Sequence, residues 1–152
     1  MVIAVIIVAF VVVALIVFFY FKRSDDTTTL PGTMKDLEDS IAKMMQSTKK
    51  RPLVIAKVHG TNDFVRFNSD TKSVELEFPL ASDRQKNMEE AFRAIAKEMN
   101  LKVVENRKTG GQTFLDIYLK GTAAEISATG QTFIEKFFEI NQDTKIEYEL
   151  NV

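Results

Sequence analysis

The sequence predicts an α+β domain behind a single N-terminal transmembrane helix. The domain is expected to hold a mainly antiparallel sheet with two helices on one face. Two observations carry this. The run from Val2 to Phe21 has no charge, proline or glycine, and Lys22 and Arg23 follow it at once. From Pro52 onward, short strand-like stretches are interleaved with two capped amphipathic helices. The expected organisation is an anchor over 1–22, a linker over 23–51 with a short amphipathic helix over 34–47, and the α+β domain over 52–152.

The anchor is a matter of length and solvent. Twenty helical residues at about 1.5 Å rise span roughly 30 Å, the thickness of a bilayer's hydrocarbon core. Val2, Ile7, Val12, Ile16 and Phe21 mark the extent of the run. β-branched residues crowd it, yet in lipid an isolated span must bond its own backbone and is therefore helical. A cleaved signal peptide has a basic start, a shorter apolar stretch and small residues at the cut. This run starts without a basic residue and ends Phe18-Phe19-Tyr20-Phe21. Tyr20 suits the membrane interface, with Lys22 and Arg23 just beyond it. These two cations predict an outside N-terminus and a cytoplasmic domain.

The linker opens with SDDTTTLPG, a polar leader in which Pro31-Gly32 stops the anchor helix from running on. Thr33 to Asp36 has the form of a capping box, and Met34, Leu37, Ile41 and Met44 then form one apolar stripe. Two roles are open to this stripe. It packs on the domain or the membrane surface, or it is a self-association seam helped by anchoring two copies in one membrane. Lys49-Lys50-Arg51 closes the linker.

In the domain, 53–58 and 64–67 read as strands around a His59–Asp63 turn. Val74, Leu76 and Phe78 alternate with Ser73, Glu75 and Glu77, which predicts a strand with one dry and one wet face. Ser82 to Gln85 is a capping box opening a helix to about Met99, and Thr122 to Glu125 opens a second. Gly130 inside the second helix costs about 1 kcal/mol relative to Ala, so a close neighbour is expected there. Two strands flank Arg107 to Gly111, and Ile146, Tyr148 and Leu150 alternate in the last strand. From about residue 72 the order is βαββαβ, which resembles the connectivity of the ferredoxin-like fold, preceded by an extra β-hairpin. Glu75, Glu77, Glu147 and Glu149 are expected on the wet face, with Lys72 and Lys145.

The chain has 20 Lys+Arg against 21 Asp+Glu, one His and no Cys. The absence of cysteine excludes thiolate chemistry, Cys-ligated zinc and iron–sulfur clusters. A balanced charge gives no global pull toward nucleic acid. Gln112 to Tyr118 places Phe114 and Tyr118 on one face, but Asp116 stands between them and the glycines of the RNA-recognition pattern are missing. His59 with Asp63 could form an oriented base, yet no nucleophile motif stands beside it. Lys108 to Thr113 has two glycines but lies between strands, not in a strand-to-helix phosphate loop. The expected function is therefore a non-catalytic, membrane-anchored protein-interaction or regulatory module without cofactor. The expected partners are membrane lipid and another protein, a homodimer is left open, and no nucleic acid is expected. A tethered small-ligand sensor is the alternative, and an enzyme with an unrecognised site the last.

Overall fold

A computed structural model describes residues 27–69, 73–108 and 110–152. The expected anchor, with Val2, Ile7, Val12, Ile16, Tyr20, Phe21, Lys22 and Arg23, lies outside the described residues. Among those described, no helix is long and apolar enough to cross a membrane.

Seven strands form one sheet: β1 (Thr28–Thr33), β2 (Leu53–Val58), β3 (Phe64–Ser69), β4 (Val74–Pro79), β5 (Val103–Arg107), β6 (Thr113–Leu119) and β7 (Lys145–Asn151). Their order across the sheet is β1-β7-β2-β3-β4-β6-β5, and every neighbouring pair is antiparallel. The helices are α1 (Leu37–Gln46, entered through a 3₁₀ turn at Met34–Asp36), α2 (Asp83–Asn87), α3 (Glu89–Glu98) and α4 (Ala123–Phe138). The alternation read in β4 and β7 holds: Val74, Leu76, Phe78, Ile146, Tyr148 and Leu150 are all buried.

The α+β class and the antiparallel sheet match expectation, while three finer expectations are corrected. First, β4, β6 and β5 lie as in a ferredoxin-like unit, but the β2–β3 hairpin is inserted between β4 and β7. A strand that is central in that fold already has two neighbours, and here β3 takes the side that β7 would have held. Second, residues 28–33 form an edge strand and not a leader. Pro31 is tolerated because an edge strand leaves one side of its backbone unpaired. Third, α1 adds its packing to that of the two expected helices, and the expected helix over 83–99 is interrupted at Met88.

Met34, Leu37, Ile41 and Met44 are each 0% exposed, and α1 packs on α4, β2, β3 and β7. Burying four such side chains is worth about 6–12 kcal/mol in transfer terms, which outweighs any seam they could offer outside. The four side chains of the stripe are used within the chain, and of the large apolar side chains on this helix only Met45 beside them remains exposed. On the other side of α4, Phe92 of α3 stacks on Phe78 at 5.6 Å and meets Phe133 edge-on at 4.8 Å. Phe138, beside Phe137, is half-buried.

All three capping boxes form. Asp36 Oδ2 accepts from the Thr33 amide at 2.7 Å, Gln85 Oε1 from the Ser82 amide at 3.0 Å, and Glu125 Oε2 from the Thr122 amide at 2.8 Å. Gly130 also has the expected neighbour. A Cβ there would stand 3.1 Å from the buried Phe67 ring and 3.6 Å from Leu37.

Two predictions follow from this packing. Gly130→Leu drives a branched side chain into Phe67, so chemical denaturation is expected to show a loss of about 2–3 kcal/mol despite better helix propensity. A variant as stable as the parent would show that the α1–α4 contact is loose. The second concerns acid. Hydrogen bonds from the Thr122 amide and hydroxyl hold the Glu125 carboxyl below its ordinary value. A depressed carboxyl stabilises the fold above its unfolded value of about 4.3 and loses that contribution as pH falls through the folded one. Thermal melts of Glu125→Gln, which keeps an acceptor but cannot titrate, should therefore fall less steeply below pH 4 than those of the parent. Equal slopes would remove Glu125 from the acid response.

Candidate functional site: a charged row on the helix-free face of the sheet

Strand pairing places Arg66, Glu77 and Asp116 side by side on β3, β4 and β6. They point away from the helices, since their flanking residues Val65, Phe67, Leu76, Phe78, Leu115 and Ile117 enter the core. Even so, Glu77 and Asp116 are both 0% exposed. Two carboxylates directly opposite one another repel, and burying either without a partner is costly. The surrounding side chains answer this.

Lys108, from the turn after β5, reaches back over the sheet. Its ammonium contacts Glu77 Oε1 closely and lies 3.6 Å from Glu75 and 3.8 Å from Asp116. Arg66 Nε stands 3.5 Å from Glu77 Oε2. Asn106 of β5 donates to Asp116 Oδ2 at 2.6 Å and to the Tyr118 hydroxyl at 3.2 Å. Phe114 is 4% exposed and serves as the floor, with the Arg66 and Lys108 cations 5.2 and 5.3 Å from its ring centre. Burial lowers the Arg66 guanidinium from its usual value, and the Asp116 charge works against that shift. Burial also raises the Tyr118 phenol, partly offset by its bond from Asn106.

The group is paired but not saturated. Asp116 Oδ1 and Arg66 Nε are buried without a hydrogen bond, and Glu77 is held by ion pairs alone. One oxygen of each of Glu75, Glu77 and Asp116 lies within 4.8 Å of the others, a spacing that suits a cation. Here the Lys108 ammonium is that cation.

Two hollows of about 670 Å³ each lie on this face. One is lined by Arg51, Arg66, Asn68, Asn106, Arg107 and Lys108. Arg51 and Arg107 have no acidic partner among the described residues. The other is lined by Ile55, Lys57, Phe64, Pro79, Arg84 and Gln112. The wet face expected from the alternation is thus present. The alternation did not reveal that Glu77 and Asp116 are buried on it. Their cover comes from Lys108, whose position depends on the turn through Gly110 and Gly111 at φ +91° and +81°.

His59 and Asp63 do not meet as a pair. The imidazole Nδ1 lies 2.7 Å from Glu147 Oε1, while Asp63 takes two bonds from Arg84 at 2.8 and 2.9 Å. No hydroxyl is hydrogen-bonded to the imidazole among the described residues. No protein-family model, curated protein or solved structure matches this chain.

The row yields a test of its own charge balance. Lys108→Met leaves Glu77 short of a counter-ion in a buried site. Removing one member of a buried ion pair costs about 3–5 kcal/mol, and the one-third exposure of Lys108 reduces that to about 2 kcal/mol. The deficit should shrink as the pH falls, because acid neutralises the unmatched charge that the substitution leaves buried. Denaturation at pH 7 and pH 4.5 checks both statements. A deficit unchanged by pH would assign the effect of Lys108 to packing.

Proposed function

We propose that the chain is a single-pass membrane-anchored protein whose α+β domain is a non-catalytic binding module, and that the helix-free face of the sheet receives the partner. The anchor has its N-terminus outside and the domain in the cytoplasm. The observation that carries this reading is the contrast between the two faces. Helices cover one face except at its edges, at Leu30 and Glu105, while the other keeps the charged row, the half-buried Ile55 and Phe64 and two hollows. Polar and charged groups fixed by neighbours on a rigid sheet give orientation to a partner at little entropic cost.

A second reading is a tethered sensor of a small anionic ligand. The unpaired Arg51 and Arg107, with the amides of Asn68 and Asn106 in the same hollow, favour it. Nothing around His59 favours an enzyme.

The absence of cysteine allows single-site labelling. A thiol at Gln142, on the exposed turn before β7, should resist a membrane-impermeant maleimide in intact cells and react after lysis. Reaction in intact cells would put the domain outside. For the face itself, a photo-crosslinker at Lys57 should give defined protein adducts, while one at Lys43 on exposed α1 should not. Adducts from both, or from Lys43 alone, would move the partner off the sheet. The sensor reading requires an anionic ligand that raises stability by about 2.7 kcal/mol at 100 times its dissociation constant, and loses that effect in Arg107→Ala.

A further inference from the structure

Cations without a carboxylate partner among the described residues gather at one end of the domain. Register places Thr28, Leu53, Ser69, Val74, Leu119 and Asn151 at one end of the strands. The described segments at that end are 47–52, 99–102 and 120–122. They carry Lys49, Lys50, Arg51, Lys102 and Lys120, and no aspartate or glutamate. Lys50, Arg51, Lys102 and Lys120 are exposed. None of the five pairs with a carboxylate among the described residues; Lys49 donates to Asn151 Oδ1 at 2.7 Å. The opposite, more acidic end holds Asp36, Asp63, Glu139 and Asp143, of which Asp63 is paired with Arg84 and Asp143 with Lys35. The Lys108 ammonium, also from that end, is committed to the sheet face.

The chain enters the domain at the basic end, because Thr28 is the first residue of β1 and pairs with Leu150. Five residues separate Lys22 from Thr28, six steps along the chain. At no more than about 3.6 Å per residue they reach roughly 20 Å. Resting on the anchor reading above, this short tether keeps the basic end near the bilayer.

We propose that this end of the domain, through Lys50, Arg51, Lys102 and Lys120 together with Lys49, is a docking surface for an anionic lipid leaflet. A lipid surface is the occupant because it is the one anionic partner that the tether itself delivers. The cations also sit on separate loops across the strand ends, which suits a plane of headgroups and not a single ligand. The attraction acts only within about a Debye length of the headgroups, so it needs both the short tether and low to moderate salt.

The test uses the full chain in proteoliposomes. A donor fluorophore is placed on Thr48→Cys, exposed at the basic end, or on Gln142→Cys at the acidic end, with acceptor lipids in the membrane. Vesicles are phosphatidylcholine alone, or contain about 30 mol % phosphatidylserine. Energy transfer from position 48 should rise clearly with phosphatidylserine, while transfer from 142 should not. About 0.5 M salt, which shortens the Debye length to about 4 Å, should abolish the rise. So should the triple variant Lys50→Ser, Lys102→Ser, Lys120→Ser. None of these three lines a hollow on the charged face or makes a hydrogen bond, so its fold should be unaffected, as circular dichroism will check. Transfer from 48 that ignores lipid charge, or a rise that survives in the triple variant, would overturn the docking. Extraction of the chain by carbonate would instead sink the anchor, which keeps the two failures distinguishable.

Discussion

The whole arrangement depends on β7, the last strand, lying between β1 and β2. It bonds to both along nearly their full lengths, so the ends of the domain sequence close on each other. Tyr148 at its centre is 1% exposed and donates its hydroxyl to the Thr33 carbonyl at 2.7 Å. Burial, with Asp36 nearby, pushes that phenol well above its ordinary range, so it remains a donor at any physiological pH. Without β7, β1 has no partner and α1 loses the sheet edge that positions it. The same strand fixes where the chain enters the domain.

The second constraint is electrostatic. A sheet with helices on one face normally leaves the other face to water, where carboxylates need no help. Here the turn after β5 brings Lys108 across that face, and two opposed carboxylates become buried beneath it. Such a group contributes little net stability, because desolvation offsets the attraction. What it does give is geometry. Arg66, Glu77, Asp116 and Asn106 hold one another in a single arrangement between two hollows, so the polar groups of the face are already oriented.

Much of this was legible from local pattern. The three capping boxes, the alternation in β4 and β7, the hairpin at Gly110-Gly111 and the close neighbour of Gly130 are all properties of a few adjacent residues. What was missed is non-local. Pro31-Gly32 looks like a break when read alone, and it becomes an edge strand only because β7 offers a ladder on one side. The insertion of β2–β3 between β4 and β7 satisfies the same alternation as the simpler ferredoxin-like order, so no pattern along the chain separates the two. The stripe from Met34 to Met44 is equally apolar whether it meets α4 or a second copy. The burial of Glu77 and Asp116 required knowing where a lysine some thirty residues beyond Glu77 would fall.

The two ends of the domain bear on its helix-free face as well. Docking through the strand ends sets the strands upright from the bilayer, whereas docking through the charged row would lay the sheet flat and cover both hollows. The distribution of charge favours the first. The row is internally neutralised by Lys108 and Arg66, while Lys50, Arg51, Lys102 and Lys120 have no carboxylate partner among the described residues. The proposed lipid contact at the end and the proposed partner contact on the face share only Arg51, which lines one hollow. Under the proposed anchor and docking, a short tether and an upright sheet would present the polar face sideways, at a roughly fixed height above the membrane.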